Sequence, residues 1–418
     1  MGDRLYMTAS VLIRMGAGLL VFVLMARGLG PSAYGLVATV FAYATLASLL
    51  TDFGFASKTL RDIGADPDGG GAILNASLGV KAYLTVAVGV GGAAILFFVP
   101  GEPVNRLASG LLGAAVLIGT IGDLALTAYR AVGRYSDETW MTIWTSGVHL
   151  VLIGWISLGH GDLLLLAIGF VASRLLYTGV AVIGAERLFT DHSLRFVSPR
   201  EVWTSLRGAW SWAADSGLGF LTGQIDGFLV PAIFGLQAAG IYQAGGRFIQ
   251  AALGLVTILA AVHIPRLAKV AAETAGVTSG ERRMMIEFTA AGAVLGLMFW
   301  LGGPLITTFL LGPEYGAVNA LWLGFSVFLV IRYMAASLGA ALSARGLPLV
   351  RVAGQVAALL VVVVGLTLGS PRFGLVSVPW IMSAGALATL ISFCLARLLV
   401  ARGRLGTAAR DCGPVLGN

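Results

Sequence analysis

The stretch "GLGPSAYG", residues 28–35, lies between two long apolar runs, and its reading decides the rest of the chain. Gly28, Gly30 and Gly35 let the backbone turn, and Pro31 cannot sit inside a continuing helix. Similar punctuation returns about 205 residues later as "FGLQAAGIY" (234–242), where Gly235 matches Gly30 and Gly240 matches Gly35. A second echo sets "VPGEPVNRLASGLLG" (99–113) against "LGPEYGAVNALWLG" (311–324) at a similar offset. Two turns repeated at one spacing predict a chain built of two parallel halves.

The runs around these turns are those of a membrane protein. Hydrophobic residues make up 57% of the 418 and charged residues only 11%, where a soluble protein carries about 25% charged. The mean hydropathy is +0.89. A bilayer core roughly 30 Å thick needs about 20 apolar residues per helix. The sequence supplies twelve such spans, near 5–26, 35–56, 77–99, 107–129, 139–159, 163–184, 209–233, 240–263, 284–307, 317–341, 352–369 and 374–396. The expected fold is an all-α polytopic membrane protein of two six-helix bundles. "GLGPSAYG" becomes the turn between the first and second spans, and "FGLQAAG" the turn between the seventh and eighth.

Arginine and lysine set the orientation. Twelve spans with the N-terminus inside leave 19 basic residues in inner segments and only Arg27, Arg106 and Arg372 outside. Both termini are therefore expected to be cytoplasmic. The halves are 1–184 and 209–396, joined by a cytoplasmic linker at 185–208 and followed by a basic tail at 397–418. Arg14 interrupts what would be the apolar core of a signal peptide, so the first span reads as retained.

The net charge of +7 is explained by this topology and implies no nucleic acid. Cys394 and Cys412 offer no disulfide framework. His149, His160, His192 and His263 lack metal-ligand spacing, so neither metal nor cofactor is expected. Lysine occurs only at 58, 81 and 269, none of them in a phosphate-binding loop, which argues against ATP hydrolysis. No catalytic constellation is present, and a secondary transporter is expected rather than an enzyme.

Several stretches, in order, resemble the Wzx-type oligosaccharide flippases, relatives of lipid II flippases and MATE exporters in the MOP superfamily. They are residues 24–63, which contain "GLGPSAYG"; "QIDGFLVPAIFGLQAAGIYQAGGRF" (224–248); "HIPRLAKV" (263–270); "LLGPEYGAVNALWLG" (310–324); and "SARGLPLVRV" (343–352). The resemblance implies a V-shaped pair of six-helix bundles around a central cavity. It implies alternating-access transfer of an undecaprenyl-diphosphate-linked oligosaccharide to the outer leaflet of a bacterial inner membrane. Membrane lipids and polysaccharide assembly enzymes would be its partners, and O-antigen or exopolysaccharide its product. The competing readings are a MATE-like exporter of small cations and a membrane polymerase or ligase. The last usually presents a large outer loop, and every expected outer loop here is short.

Charges at bilayer depth are costly and face a bundle interior or a wet cavity. Arg14, Arg174, Arg247 and Arg332 lie mid-span, and Arg247 shares a helical face with Gln243 and Gln250. One reading places them in a cationic cavity, since a guanidinium fork suits a diphosphate. The other pairs them with Asp123, Asp215 and Asp226. Those three acids are in turn the ion-coupling candidates, because a carboxylate at depth can bind a proton. Lys81 reads as a snorkelling interface residue, and Asp52 as a capping or interface group.

Overall fold

The computed structural model describes residues 2–66, 68–98, 102–159, 161–189, 198–271, 279–344 and 348–401. Among them the side chains at 208–216 and at some other helical positions are not described, so the side chain of Asp215 lies outside the described residues.

Most of the described residues are helical. α1 (Gly2–Asp52), α2 (Phe55–Ala65), α3 (Gly70–Phe98), α4 (Pro103–Ala131), α5 (Tyr135–Gly159) and α6 (Leu163–Glu186) are followed by α7 (Pro199–Ala271). Then come α8 (Ser279–Leu305), α9 (Trp322–Ala344), α10 (Pro348–Val364), the short α11 (Ser370–Phe373) and α12 (Ser377–Ala401).

α1 and α7 are each two arms joined at a single broken residue, Gly30 (φ 73°, ψ 170°) and Gly235 (φ 81°, ψ 177°). Positive φ with extended ψ is essentially a glycine conformation, so the two glycines matched in the sequence also match in torsion. Pro31 opens the second arm of α1, where its missing N–H costs nothing. Ten stretches are long and apolar enough to cross a membrane. Two of them, Ala9–Ala65 and Gly223–Val256, contain these breaks, so among the described residues the ten stretches comprise twelve apolar helical arms.

The chain divides into two compact units: residues 1–217 with 236–240, and residues 218–235 with 241–418. The segment 236–240 thus belongs to the first unit, where it meets the opening turn. A Cβ added at Gly35 would run into the Leu236 carbonyl oxygen and stand 3.0 Å from the Gly240 nitrogen. A Cβ at Gly240 would run into the Pro31 carbonyl oxygen and stand 3.0 Å from the Gly35 nitrogen. The contact is reciprocal: a shift of 205 residues carries Pro31 onto Leu236 and Gly35 onto Gly240.

In the first unit α1 packs on α5 and α4 on α6. The linker side of this unit holds an element that the span count did not anticipate. α2 buries Phe55, Thr59 and Ile63, spaced one turn apart, and leaves Lys58, Leu60 and Arg61 outward. Its apolar stripe joins Phe189 and Val202 of the linker in one core with Leu124 and Tyr129 of α4. α1 ends against it through Phe53 (φ 40°) and Gly54 (φ 77°).

In the second unit α8 packs on α9, and α12 on both α9 and α10. Trp322 stacks on Phe299 with ring centroids 6.0 Å apart and donates to Thr307 Oγ1 at 3.0 Å. Gly303 makes room for it, since a Cβ there would meet the indole ring.

Several boundaries differ from the sequence reading. α3 begins at Gly70 rather than 77. The tenth span begins as a 3-10 turn, Pro313–Ala320, and becomes α-helical only at Trp322, because Gly312 (φ 103°) and Pro313 interrupt the chain. The eleventh runs through a π-helical turn, Gly365–Gly369, into α11. Lys81 is also corrected: it does not snorkel. It is 1% exposed and bound to Asp52 at 2.6 Å, because the end of α1 brings a carboxylate within reach.

Candidate functional site

Among the described side chains, a mid-span aspartate in each unit accepts a hydrogen bond from a tyrosine hydroxyl. In the first unit Tyr177 of α6 donates to Asp123 Oδ1 of α4 at 2.6 Å. The neighbouring Gly122 permits this, since a Cβ there would lie 2.6 Å from Tyr177 Cε1. One turn earlier Gly119 seats the stem of Arg174, whose Cδ would stand 3.2 Å from an added Cβ. The Arg174 guanidinium lies 6.0 Å from the Tyr177 ring centroid.

Arg14, from the first arm of α1, donates through Nη1 to the same Asp123 Oδ1 at 3.1 Å. Its Nη2 stands 3.9 Å from Glu138 Oε1 and has no hydrogen-bond partner among the described residues. Glu138, 1% exposed in the first turn of α5, is held by Arg130 Nε at 3.0 Å and Nη2 at 2.6 Å. Arg14 and Asp123 remain 38% and 56% exposed, so this pair is not sealed. Nearby, Ser173 Oγ donates to the Phe170 carbonyl at 2.9 Å. His149 Nδ1 sits 2.8 Å from Ser173 Oγ.

In the second unit Tyr242, in the second arm of α7, donates to Asp226 Oδ2 in the first arm at 2.7 Å. The break at Gly235 folds the two arms together and brings these residues into contact. Asp226 is 8% exposed and Tyr242 3%. Asp226 Oδ1 has no partner among the described residues. Asp226 lines a cavity of about 80 Å³ with Tyr242, Gln250, Arg332 and Thr389. Arg247 Nη1 donates to Gln250 Oε1 at 3.2 Å. Gln243 is buried at 4% exposure and lies outside the cavity lining. No cluster of three metal-ligating side chains exists among the described residues.

The structure thus distributes the sequence candidates. Arg14 meets Asp123, the pairing one reading had offered, with Arg174 beside them. Asp226 and Arg332 share a cavity, and Arg247 reaches it through Gln250. Asp215 falls outside the described side chains. The sequence reading missed Tyr242 and Glu138 and gave Tyr177 no role.

A family model described as "Polysaccharide biosynthesis protein" matches residues 3–271. The chain belongs to the polysaccharide biosynthesis protein family. No curated protein matches it. Solved structures share the fold of this family member at low identity. An inward-facing multidrug resistance MATE transporter of the MOP superfamily superposes with a TM-score of 0.73 at 17% identity, covering 96% of this chain and 100% of its own. The lipid II flippase MurJ, in an inward closed conformation, gives 0.75 at 11% identity, covering 99% and 94%. A MOP superfamily transporter from Pyrococcus furiosus, described as having a binding pocket of reverse polarity, gives 0.66 at 17% identity, covering 96% and 95%. The family member described here is therefore a multi-pass membrane protein with the MATE and MurJ fold.

Proposed function

We propose that this protein is a flippase for a lipid-linked oligosaccharide. It moves an undecaprenyl-diphosphate-borne glycan from the inner to the outer leaflet of a bacterial cytoplasmic membrane by alternating access, for surface polysaccharide such as O-antigen or exopolysaccharide. Both termini face the cytoplasm in this reading, and polysaccharide assembly enzymes work on either side of the step.

The observation that carries the reading is the Arg14 guanidinium in a chain of this family. It sits at membrane depth, is partly exposed, and commits Nη1 to Asp123 while Nη2 is left without a hydrogen bond among the described residues. A diphosphate meets the exposed part of this guanidinium and supplies further acceptors to its fork. Arg174, Arg247 and Arg332 are the further diphosphate ligands, with Gln243 and Gln250 contributing amides. Four deep arginines against Asp123, Asp215 and Asp226 suit an anionic cargo better than the small cations of a MATE-like exporter. The deep acids then serve the ion gradient that drives the step.

Deletion of the gene in a host with no redundant flippase is expected to strand lipid-linked repeats on the inner leaflet and abolish the surface polysaccharide. Normal polysaccharide overturns the reading, and drug hypersensitivity in its place supports the exporter. Each charge-assisted bond contributes about 1.5–3 kcal/mol. Arg14→Ala and Arg247→Ala should therefore each lower transport by about tenfold or more, with normal amounts of protein in the membrane. Arg14→Lys should not fully restore transport, because an ammonium lacks the fork.

A further inference from the structure

The two ion pairs at Arg130 and Arg14 are of different kinds. Glu138 is 1% exposed, and Arg130 grips its Oε1 with two nitrogens, Nε at 3.0 Å and Nη2 at 2.6 Å. Breaking this pair is costly, since it would leave Glu138 a buried charge without a partner. The pair of Arg14 and Asp123 is built otherwise. It rests on one hydrogen bond of 3.1 Å, from Nη1 to Oδ1, although a guanidinium and a carboxylate can make two. Both side chains are open, at 38% and 56% exposure, and an ion pair in such a setting contributes little. The same Oδ1 accepts the Tyr177 hydroxyl at 2.6 Å, the shorter of its two bonds. Asp123 is thus fixed by the tyrosine and bound only loosely by the arginine.

The second edge of Arg14 is closed. Its Nη2 is buried, 3.9 Å from Glu138 Oε1. An incoming anion therefore meets the guanidinium on the other edge, where Asp123 already sits. Arg174, seated on Gly119 beside the Tyr177 ring, lies within electrostatic range of Asp123 and forms no ion pair among the described residues. Arg14, Arg130 and Arg174 face Asp123 and Glu138, so the cluster has one guanidinium more than it has carboxylates to answer it.

We propose that Asp123 is a built-in competitor for Arg14. Its carboxylate occupies the place of a cargo phosphate, yields that place when the diphosphate arrives at Arg174, and retakes it when the cargo leaves. Tyr177 is the positioning residue that keeps Asp123 within reach, and Glu138 keeps the guanidinium turned towards the cargo. Only hydrogen bonds are exchanged: Arg14 Nη1 gives up a carboxylate oxygen and takes a phosphate oxygen. A diphosphate held by these arginines without a competitor would dissociate slowly, because tighter binding is mostly slower release. This inference rests on the flippase reading and gives Asp123 a task on the cargo itself.

The test is calorimetric binding of inorganic pyrophosphate and of undecaprenyl diphosphate to the purified full chain in detergent micelles. Asp123→Asn keeps the side chain's shape and can still accept from Tyr177, and it should bind both ligands about five- to tenfold more tightly. In an Arg14→Ala background the same exchange should change affinity by less than about twofold, because the contested group is gone. Tyr177→Phe should give a smaller gain, about two- to threefold, and none on top of Asp123→Asn. A merely structural tyrosine would leave the affinity where it is, and that result overturns the positioning role. Should Asp123→Asn fail to fold, Asp123→Ser takes its place. An equal gain in the Arg14→Ala background assigns the effect to lost charge near Arg174 and overturns the competition. Unchanged or weaker binding by Asp123→Asn also overturns it, and leaves the flippase reading standing. Binding of neither ligand by any variant overturns it as well. A gain for pyrophosphate in a chain that does not bind the lipid supports the competitor and removes the lipid cargo alone.

Discussion

Gly35→Ala and Gly240→Ala should each destabilise the folded protein by about 3 kcal/mol, far more than a single methyl usually does. At both positions the new Cβ meets a backbone carbonyl, of Leu236 in one case and Pro31 in the other, and a backbone cannot rotate aside as a side chain can. The reciprocity makes a sharper statement. The two single variants should be equally affected, and the double variant should lose less than their sum, because both methyls force apart the same pair of segments. Gly179→Ala in α6 is the control. Nothing lies within 4 Å of its added Cβ, so the exchange should stabilise by about 0.5–1 kcal/mol through the helix propensity of alanine. Thermal unfolding in detergent, read by loss of the monodisperse peak, measures all four. A tolerated Gly35→Ala would show that the crossing of the two turns is looser than described.

Glu281→Ala should be comparably damaging in the second unit, at about 3–5 kcal/mol. Glu281 is 3% exposed in the first turn of α8, and Arg397 of α12, 8% exposed, grips both its oxygens: Nε to Oε1 at 2.7 Å and Nη2 to Oε2 at 3.1 Å. Removal of the glutamate leaves a buried guanidinium that cannot deprotonate. The cost arises from the stranded charge rather than from the worth of the pair, so Glu281→Leu with Arg397→Met should recover most of the loss. The same unfolding assay decides: a double variant as unstable as Glu281→Ala would assign the stability to the ion pair itself.

These two cases mark where the sequence was informative and where it was not. The two arms of α1 and of α7 were legible because glycine at positive φ is nearly obligatory, and Gly30 and Gly235 therefore announce their turns. The apolar spans were legible because a bilayer imposes a length and a polarity on every span. By contrast, α2 went unread because its eleven residues alternate charge and apolar side chains within a basic loop, and only burial against α4 and the linker separates the two faces. Arg397 read as one more basic residue of the tail, and nothing local says that α8 places Glu281 against it, 116 positions away in the chain.

The site divides along the same line. Hydropathy alone puts Arg14, Arg174, Arg247, Arg332, Asp123 and Asp226 inside apolar spans. Their partners are not legible in this way. Arg14 meets Asp123 across 109 positions, and Tyr177 meets the same oxygen across 54. Gly119 and Gly122 were the available signal, one helical turn apart in α4, each omitting a side chain where Arg174 or Tyr177 approaches. The sequence by itself determined the class of fold and the two broken helices, because these depend on one-dimensional rules of length, polarity and backbone freedom. Only the tertiary structure decided that Asp123 is neutralised by an arginine while Asp226 is left with an unsatisfied oxygen beside a cavity. A hydrogen bond depends on distances of a few tenths of an ångström between helices, and no pattern along one strand of sequence encodes them.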